Sequence, residues 1–241
     1  MRRLLEIVAI ALGGVIVIAW LGFYSWTRLS QYPAFDDAAR LAGEVRTEEG
    51  WYAFEPEVQP IAGLVFYPGG LVDPAAYGPL MQRVREGGVL AVIVPMPLDL
   101  AFFDIRRADK VIAEYPDVGH WVIGGHSLGG AMACEYVARR PEVSDGLVLL
   151  ASYPAESTDL SAIDIATVSI YGTEDGVPGS VFEESADRLP ASAELVEIPG
   201  GNHAQFGDYG PQKGDGTASI SREEQQRLTA EAILSLLRRL E

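Results

Sequence analysis

Gly125-His126-Ser127-Leu128-Gly129 follows directly on the apolar run Trp121-Val122-Ile123. A serine set between glycines, where a buried strand passes into a helix, can act as a nucleophile because so sharp a turn lifts its hydroxyl above the sheet edge. Few side chains tolerate the backbone of such a turn, and Gly124, Gly125, Gly129 and Gly130 keep the neighbourhood small. A helix expected from Leu128 to Arg140 would bring its N-terminal N–H groups and positive dipole end beneath Ser127, which suits an oxyanion.

A serine hydroxyl is a weak nucleophile at neutral pH and needs a positioned base. The chain has 3 histidines. His126 lies inside the turn and is expected to point off the sheet edge, and His120 opens the same strand at its far end. His203 remains, in the loop Gly200-Gly201-Asn202-His203-Ala204 after the last expected strand. In a parallel sheet the residues just past the strand C-termini gather on one rim, which His203 would share with Ser127. A carboxylate must hold the imidazole and steady its cation. Asp175, past the strand ending at Tyr171-Gly172, is the first choice; Glu174, Glu156 and Asp159 are the alternatives.

An oxyanion hole needs two N–H donors, one of which is the backbone of Leu128. The other is expected from the loop after Tyr67. Pro68 has no N–H, so Gly70 comes first, with Gly69 and Leu71 behind it. Leu71, Val72, Tyr153, Val177 and Phe206 fall in rim loops, where they could line an acyl pocket or simply pack. The stretch Gly207 to Gly216, with Asp208 and Asp215, reads as a solvated loop rather than a cation site.

The elements that must carry these residues alternate along the chain. Apolar runs predict strands at residues 51–54, 62–67, 89–95, 121–123, 146–151, 166–171 and 193–198. Helices are expected at residues 36–42, 75–86, 101–115, 128–140 and 180–188. A closing helix carries the capping pair Ser221 and Glu224, with Leu228, Ala232, Ile233, Leu236, Leu237 and Leu240 at helical spacing. Continuous apolar strands between helices mean an α/β fold with a mostly parallel central sheet covered on both faces.

The pentapeptide, the Pro68-Gly69-Gly70 loop, the Gly172-x-x-Asp175 turn and the Asn202-His203 loop together resemble an α/β-hydrolase. The order Ser127, Asp175, His203 is the one that family shows. The similarity covers about Leu64 to Glu241 and is greatest to compact bacterial esterases such as the dienelactone hydrolase-like enzymes and other small carboxylesterases. It implies an α/β-hydrolase fold and a serine esterase acting on a small-molecule carboxylic ester through an acyl-enzyme, with no cofactor and no metal. Two departures stand out: dienelactone hydrolases have cysteine where this chain has Ser127, and many relatives have His-Gly in place of Tyr67-Pro68. Only about a dozen residues, Pro154 to Ile165, separate two strands where lid domains usually enter, so the site is expected to be open. The same residues would serve a peptidase or acyltransferase, and a silent member of the fold would serve only as a binding protein.

Composition bounds the setting. The 241 residues carry 18 basic and 34 acidic side chains, a net charge of −16, which argues against nucleic acid or an anionic membrane surface as partner. With 1 cysteine, Cys134, there is neither an intrachain disulfide nor a cysteine-based metal site. Nothing in the sequence speaks to oligomeric state. Ile7 to Trp26 is an uncharged, mostly apolar run that would span ~30 Å as a helix, the thickness of a bilayer's hydrocarbon core. Arg2 and Arg3 before it, and Trp20, Phe23, Tyr24 and Trp26 at its far end, predict a single-pass anchor with a cytoplasmic N-terminus and an extracytoplasmic catalytic domain. A cleaved signal peptide is the competing reading, but its apolar core is normally shorter and ends in small residues. The organisation expected is therefore an anchor at residues 1–28, a connector at 29–50 and a catalytic domain at 51–241.

Overall fold

The computed structural model describes residues 2–177 and 185–240. The chain separates into two compact units, Met1–Gln31 and Tyr32–Glu241. The first is the helix α1 (Arg2–Leu29), in which Ile10–Leu29 is long and apolar enough to cross a membrane.

The second unit is built on a seven-stranded sheet in the order β1-β3-β2-β4-β5-β6-β7. Its strands are β1 (Tyr52–Phe54), β2 (Gly63–Tyr67), β3 (Leu90–Ile93), β4 (Trp121–His126), β5 (Gly146–Leu150), β6 (Ala166–Gly172) and β7 (Glu194–Ile198). All neighbours are parallel except the edge pair β1 and β3. Every residue of β2, β4 and β5 is buried, as strands covered on both faces must be.

Alternate side chains of these strands feed two cores. On one face Leu64, Phe66, Val122 and Leu150 pack with Leu80 and Met81 of α3 (Gly78–Glu86) and with Ile233 and Leu236 of the closing helix α6 (Arg222–Leu237). On the other, Val65, Tyr67, Ile123 and Leu149 pack with Val111 of α4 (Arg107–Glu114) and with Ala133 and Val137 of α5 (Leu128–Arg139). Cys134 lies in this second core, where burial pushes its thiol up and away from thiolate reactivity. The closing helix is capped as its sequence foretells: the Ser221 hydroxyl accepts the Glu224 N–H at 3.2 Å.

Three expectations change. The helix expected over 101–115 is two pieces, a 3-10 turn at Ala101–Phe103 and then α4 from Arg107, because Asp104 leaves the helical region at φ −151° and ψ 64°. The segment read as connector joins the catalytic unit from Tyr32 onward. Tyr32 N–H donates to the Leu71 carbonyl at 2.7 Å, Phe35 N–H to that of Asp208 at 2.8 Å, and α2 (Asp36–Glu44) follows. Pro33 favours the extended backbone that this pairing needs at Tyr32. Most of the helix expected over 180–188 lies outside the described residues, whose part of it ends in a 3-10 turn, Ala186–Arg188.

Candidate active site

The sheet order reverses between β2 and β4, since the chain moves from β2 to β3 on one side and then to β4 on the other. The crevice above such a reversal, at the strand C-termini, is where open α/β sheets bind ligands. The loops after β2, β4, β6 and β7 carry Gly70, Ser127, Asp175 and His203, so all four reach this rim.

Ser127 sits between β4 and α5 with φ 51° and ψ −122°, a conformation that costs a non-glycine residue ~1–3 kcal/mol unless its surroundings hold it. They do so from both sides of the peptide. Ser127 N–H donates to the Leu150 carbonyl at 3.0 Å, and the Ser152 hydroxyl donates to the Ser127 carbonyl at 2.7 Å. Gly129 lets the start of α5 close on the end of β2. A Cβ there would lie 2.1 Å from the Tyr67 carbonyl oxygen and 2.3 Å from that of Pro68.

His203 and Asp175 meet directly, Nδ1 to Oδ2 at 2.9 Å and to Oδ1 at 3.2 Å, with side chains 1% and 3% exposed. Glu174 is exposed beside them. Their two loops are brought together at Gly172, where a Cβ would fall 2.2 Å from the Gly201 carbonyl oxygen. The carboxylate fixes which way the imidazole presents itself: Nδ1 belongs to Asp175, leaving Nε2 buried and without a hydrogen-bond partner among the described residues. Ser127 and His203 line one cavity of about 160 Å³ with Ala131, Ala151, Ser152, Tyr153, Ala155 and Val177. Of the apolar residues expected there, Tyr153 and Val177 line it. Val72 and Phe206 are core residues instead, and Leu71 is not part of its wall.

The loop after β2 sorts its own donors. Gly69 N–H is taken by the Tyr77 hydroxyl at 2.9 Å and Leu71 N–H by the Asp99 carbonyl at 2.8 Å. Gly70 N–H has no acceptor among the described residues. Its backbone lies against Leu128, since a Cβ on Gly70 would be 2.9 Å from Leu128 Cδ2. Leu128 N–H is the first of α5 and has no partner within the helix.

Several residues given no part in the site by the sequence brace this arrangement. Asp215, expected in a solvated loop, accepts His203 N–H at 3.0 Å, Ala204 N–H at 2.8 Å and Gly216 N–H at 2.9 Å. Gln225 of α6 grips Asn202 at both backbone groups, accepting its N–H at 3.0 Å and donating to its carbonyl at 2.7 Å. Asp208 is bound by the Gln226 amide at 2.6 Å. Among the described residues no group of three or more His, Cys, Asp or Glu side chains is placed to hold a metal ion. His120 is at the far end of β4, 3.5 Å from Asp145. His126, expected to point off the sheet edge, is enclosed there by other rings. It is wholly buried, its ring 4.5 Å from that of His203.

A sequence model described as the Alpha/beta hydrolase family matches residues 63–227. Comparison with curated protein sequences gives no match. Among solved structures, the chain is similar to Est1E from Butyrivibrio proteoclasticus at 13% identity and a TM-score of 0.60, covering 78% of this chain and 94% of that one. It is similar also to the esterase domain of a Rhodothermus marinus protein, at 14% identity and a TM-score of 0.59 over 81% of this chain and 96% of the other. A third likeness is to mouse alpha/beta hydrolase domain-containing protein 10, at 14% identity and a TM-score of 0.57 over 80% and 94%. At these identities the likeness is one of fold.

Proposed function

Because the chain belongs to the alpha/beta hydrolase family, we propose that it is a serine hydrolase that cleaves carboxylic esters through an acyl-enzyme. The observation that carries this reading is the buried Asp175–His203 pair, whose Nε2, without a hydrogen-bond partner among the described residues, belongs to a ring sharing a cavity with the strained Ser127.

In this reading His203 Nε2 takes the Ser127 proton as the hydroxyl oxygen attacks the ester carbonyl carbon. Asp175 steadies the imidazolium that results. The tetrahedral oxyanion is held by the N–H groups of Leu128 and Gly70. The imidazolium then protonates the leaving alkoxide, and the ester bond breaks to leave acylated Ser127 and free alcohol. Water, deprotonated by the same Nε2, releases the acid. A donor of this kind is typically worth ~10²–10³ in turnover.

The cavity beside Ser127 supports short acyl groups. At about 160 Å³ it is smaller than the ~300 Å³ at which pockets for drug-sized ligands begin, and Ala131, Ala151 and Ala155 form part of its wall. The helix Ile10–Leu29 would serve as a retained anchor, with Arg2 and Arg3 holding the N-terminus in the cytoplasm and the catalytic unit outside. The test is hydrolysis of p-nitrophenyl esters from acetate to palmitate. Turnover that falls steeply beyond butyrate supports the reading. Equal or faster turnover of palmitate contradicts the short-acyl assignment, and amide cleavage without ester cleavage contradicts the ester assignment.

A further inference from the structure

The serine-hydrolase reading leaves one buried titratable group of the rim without a task. His126, the residue before Ser127, is enclosed by the rings of Tyr77, His203, Phe206 and Tyr209, at centroid separations of 5.7, 4.5, 5.7 and 6.4 Å. Its Nδ1 lies 2.8 Å from the Tyr77 hydroxyl, which also accepts the Gly69 N–H at 2.9 Å. The Gly69 backbone is seated on this pair. A Cβ at Gly69 would be 2.8 Å from both His126 Nδ1 and the Tyr77 oxygen.

The Tyr77 oxygen already receives Gly69 N–H, and we assign the imidazole tautomer that lets the Tyr77 hydroxyl hydrogen go to His126 Nδ1. A neutral His126 then carries its own proton on Nε2. Burial, first, and the neighbouring His203, second, hold the His126 imidazole well below the usual histidine range, so it stays neutral at working pH. Neutrality matters beside His203. A second positive ring 4.5 Å away would oppose the imidazolium that His203 forms during the reaction.

We infer that His126 and Tyr77 are positioning residues: the chain Gly69 N–H to Tyr77 hydroxyl to His126 Nδ1 fixes the loop carrying the Gly70 oxyanion donor against the ring of the His203 base. By consuming the Gly69 N–H it also leaves Gly70, and not its neighbour, free to face the oxyanion. The inference rests on the serine-hydrolase reading of the same site. A loop displaced by about 1 Å weakens a transition-state contact by up to ~10²-fold while leaving ground-state binding little changed. The loss therefore belongs in kcat.

The experiment is p-nitrophenyl acetate hydrolysis by the full chain and its Tyr77→Phe, His126→Leu and His126→Asn variants, with labelling by a serine-directed fluorophosphonate in parallel. Tyr77→Phe removes one oxygen and no packing volume. It and His126→Leu are expected to lower kcat about 10- to 100-fold with little change in KM. His126→Asn, whose Oδ1 can accept the Tyr77 hydroxyl in place of Nδ1, is expected to recover most of that loss. Tyr77→Phe combined with His126→Leu should cost little more than either alone, because both break one chain. Wild-type turnover in Tyr77→Phe, or no advantage of Asn over Leu at His126, would overturn the inference while leaving the hydrolase intact. A wild-type chain that neither turns over nor takes the label would overturn the hydrolase reading and this inference together.

Discussion

Gly129 and Tyr67 lie so close that a methyl group on the glycine would sit 2.1 Å from the tyrosine carbonyl oxygen. The contact clamps the N-terminus of α5 onto the end of β2, and so sets Leu128 beside the loop that bears Gly70. Gly129→Ala is expected to leave little folded protein, because the obstruction is backbone and cannot rotate away. Gly119→Ala, at a position with nothing within 4 Å, is the control and should melt like the wild type. Thermal unfolding of the two variants checks this; similar melting temperatures would refute the clamp.

Asp215 holds the His203 loop by three charge-assisted bonds to backbone N–H groups, two of them at His203 and Ala204. Asp215→Ala leaves these donors unmet, at ~1–3 kcal/mol for a buried donor. Ester turnover should fall at least tenfold and the melting temperature should drop. A variant with wild-type kcat would show that the loop keeps its place without the carboxylate.

The depressed His126 has a consequence for folding. Its folded-state pKa lies below the unfolded value of ~6.5, so between the two the unfolded chain binds the extra proton. Stability is then fully present above that unfolded value and is lost as pH falls through it, by up to ~1.4 kcal/mol per pH unit. Urea unfolding at pH 7, 6 and 5 should show a steeper decline for the wild type than for His126→Asn. Parallel declines would contradict a buried neutral imidazole at this position.

The residues just after α1 strap two site loops together. Tyr32 exchanges backbone bonds with Leu71 and Asp73 at 2.7 and 2.9 Å, and Phe35 donates to Asp208 at 2.8 Å. A chain beginning at Gln31 should keep wild-type turnover and melting temperature. One beginning at Val45 loses the strap and α2, and both measures should fall. Unchanged turnover in the shorter chain would show that the strap only decorates the unit.

Much of this was legible from residue types. Unbroken apolar runs marked β2, β4 and β5 because both faces of those strands are buried. The rim positions of Ser127, Asp175 and His203 follow from where such runs stop. What stayed hidden are side chains that bond backbone far along the chain: Ser152 to Ser127, Asp215 to His203, Gln225 to Asn202 and Tyr77 to Gly69. Such bonds follow no period, and a polar residue in a loop looks the same whether solvated or bound. The surroundings of His126 stayed hidden for a related reason. Its place on β4 says which face it takes, but the cage of Tyr77, Phe206 and Tyr209 that fills that face comes from other loops and helices. Gly70 could be ranked first as a candidate donor by proline chemistry alone, yet only the bonds of Gly69 and Leu71 separate it from its neighbours.

The central claim is that Ser127 is a nucleophile served by His203. The most direct test is mass spectrometry of the intact chain and its peptides after exposure to a fluorophosphonate, with Ser127→Ala and His203→Ala alongside. One adduct per chain is expected, on the peptide bearing Ser127, absent from Ser127→Ala and formed far more slowly in His203→Ala. An unlabelled wild-type chain, or an adduct on another residue that survives Ser127→Ala, would contradict it.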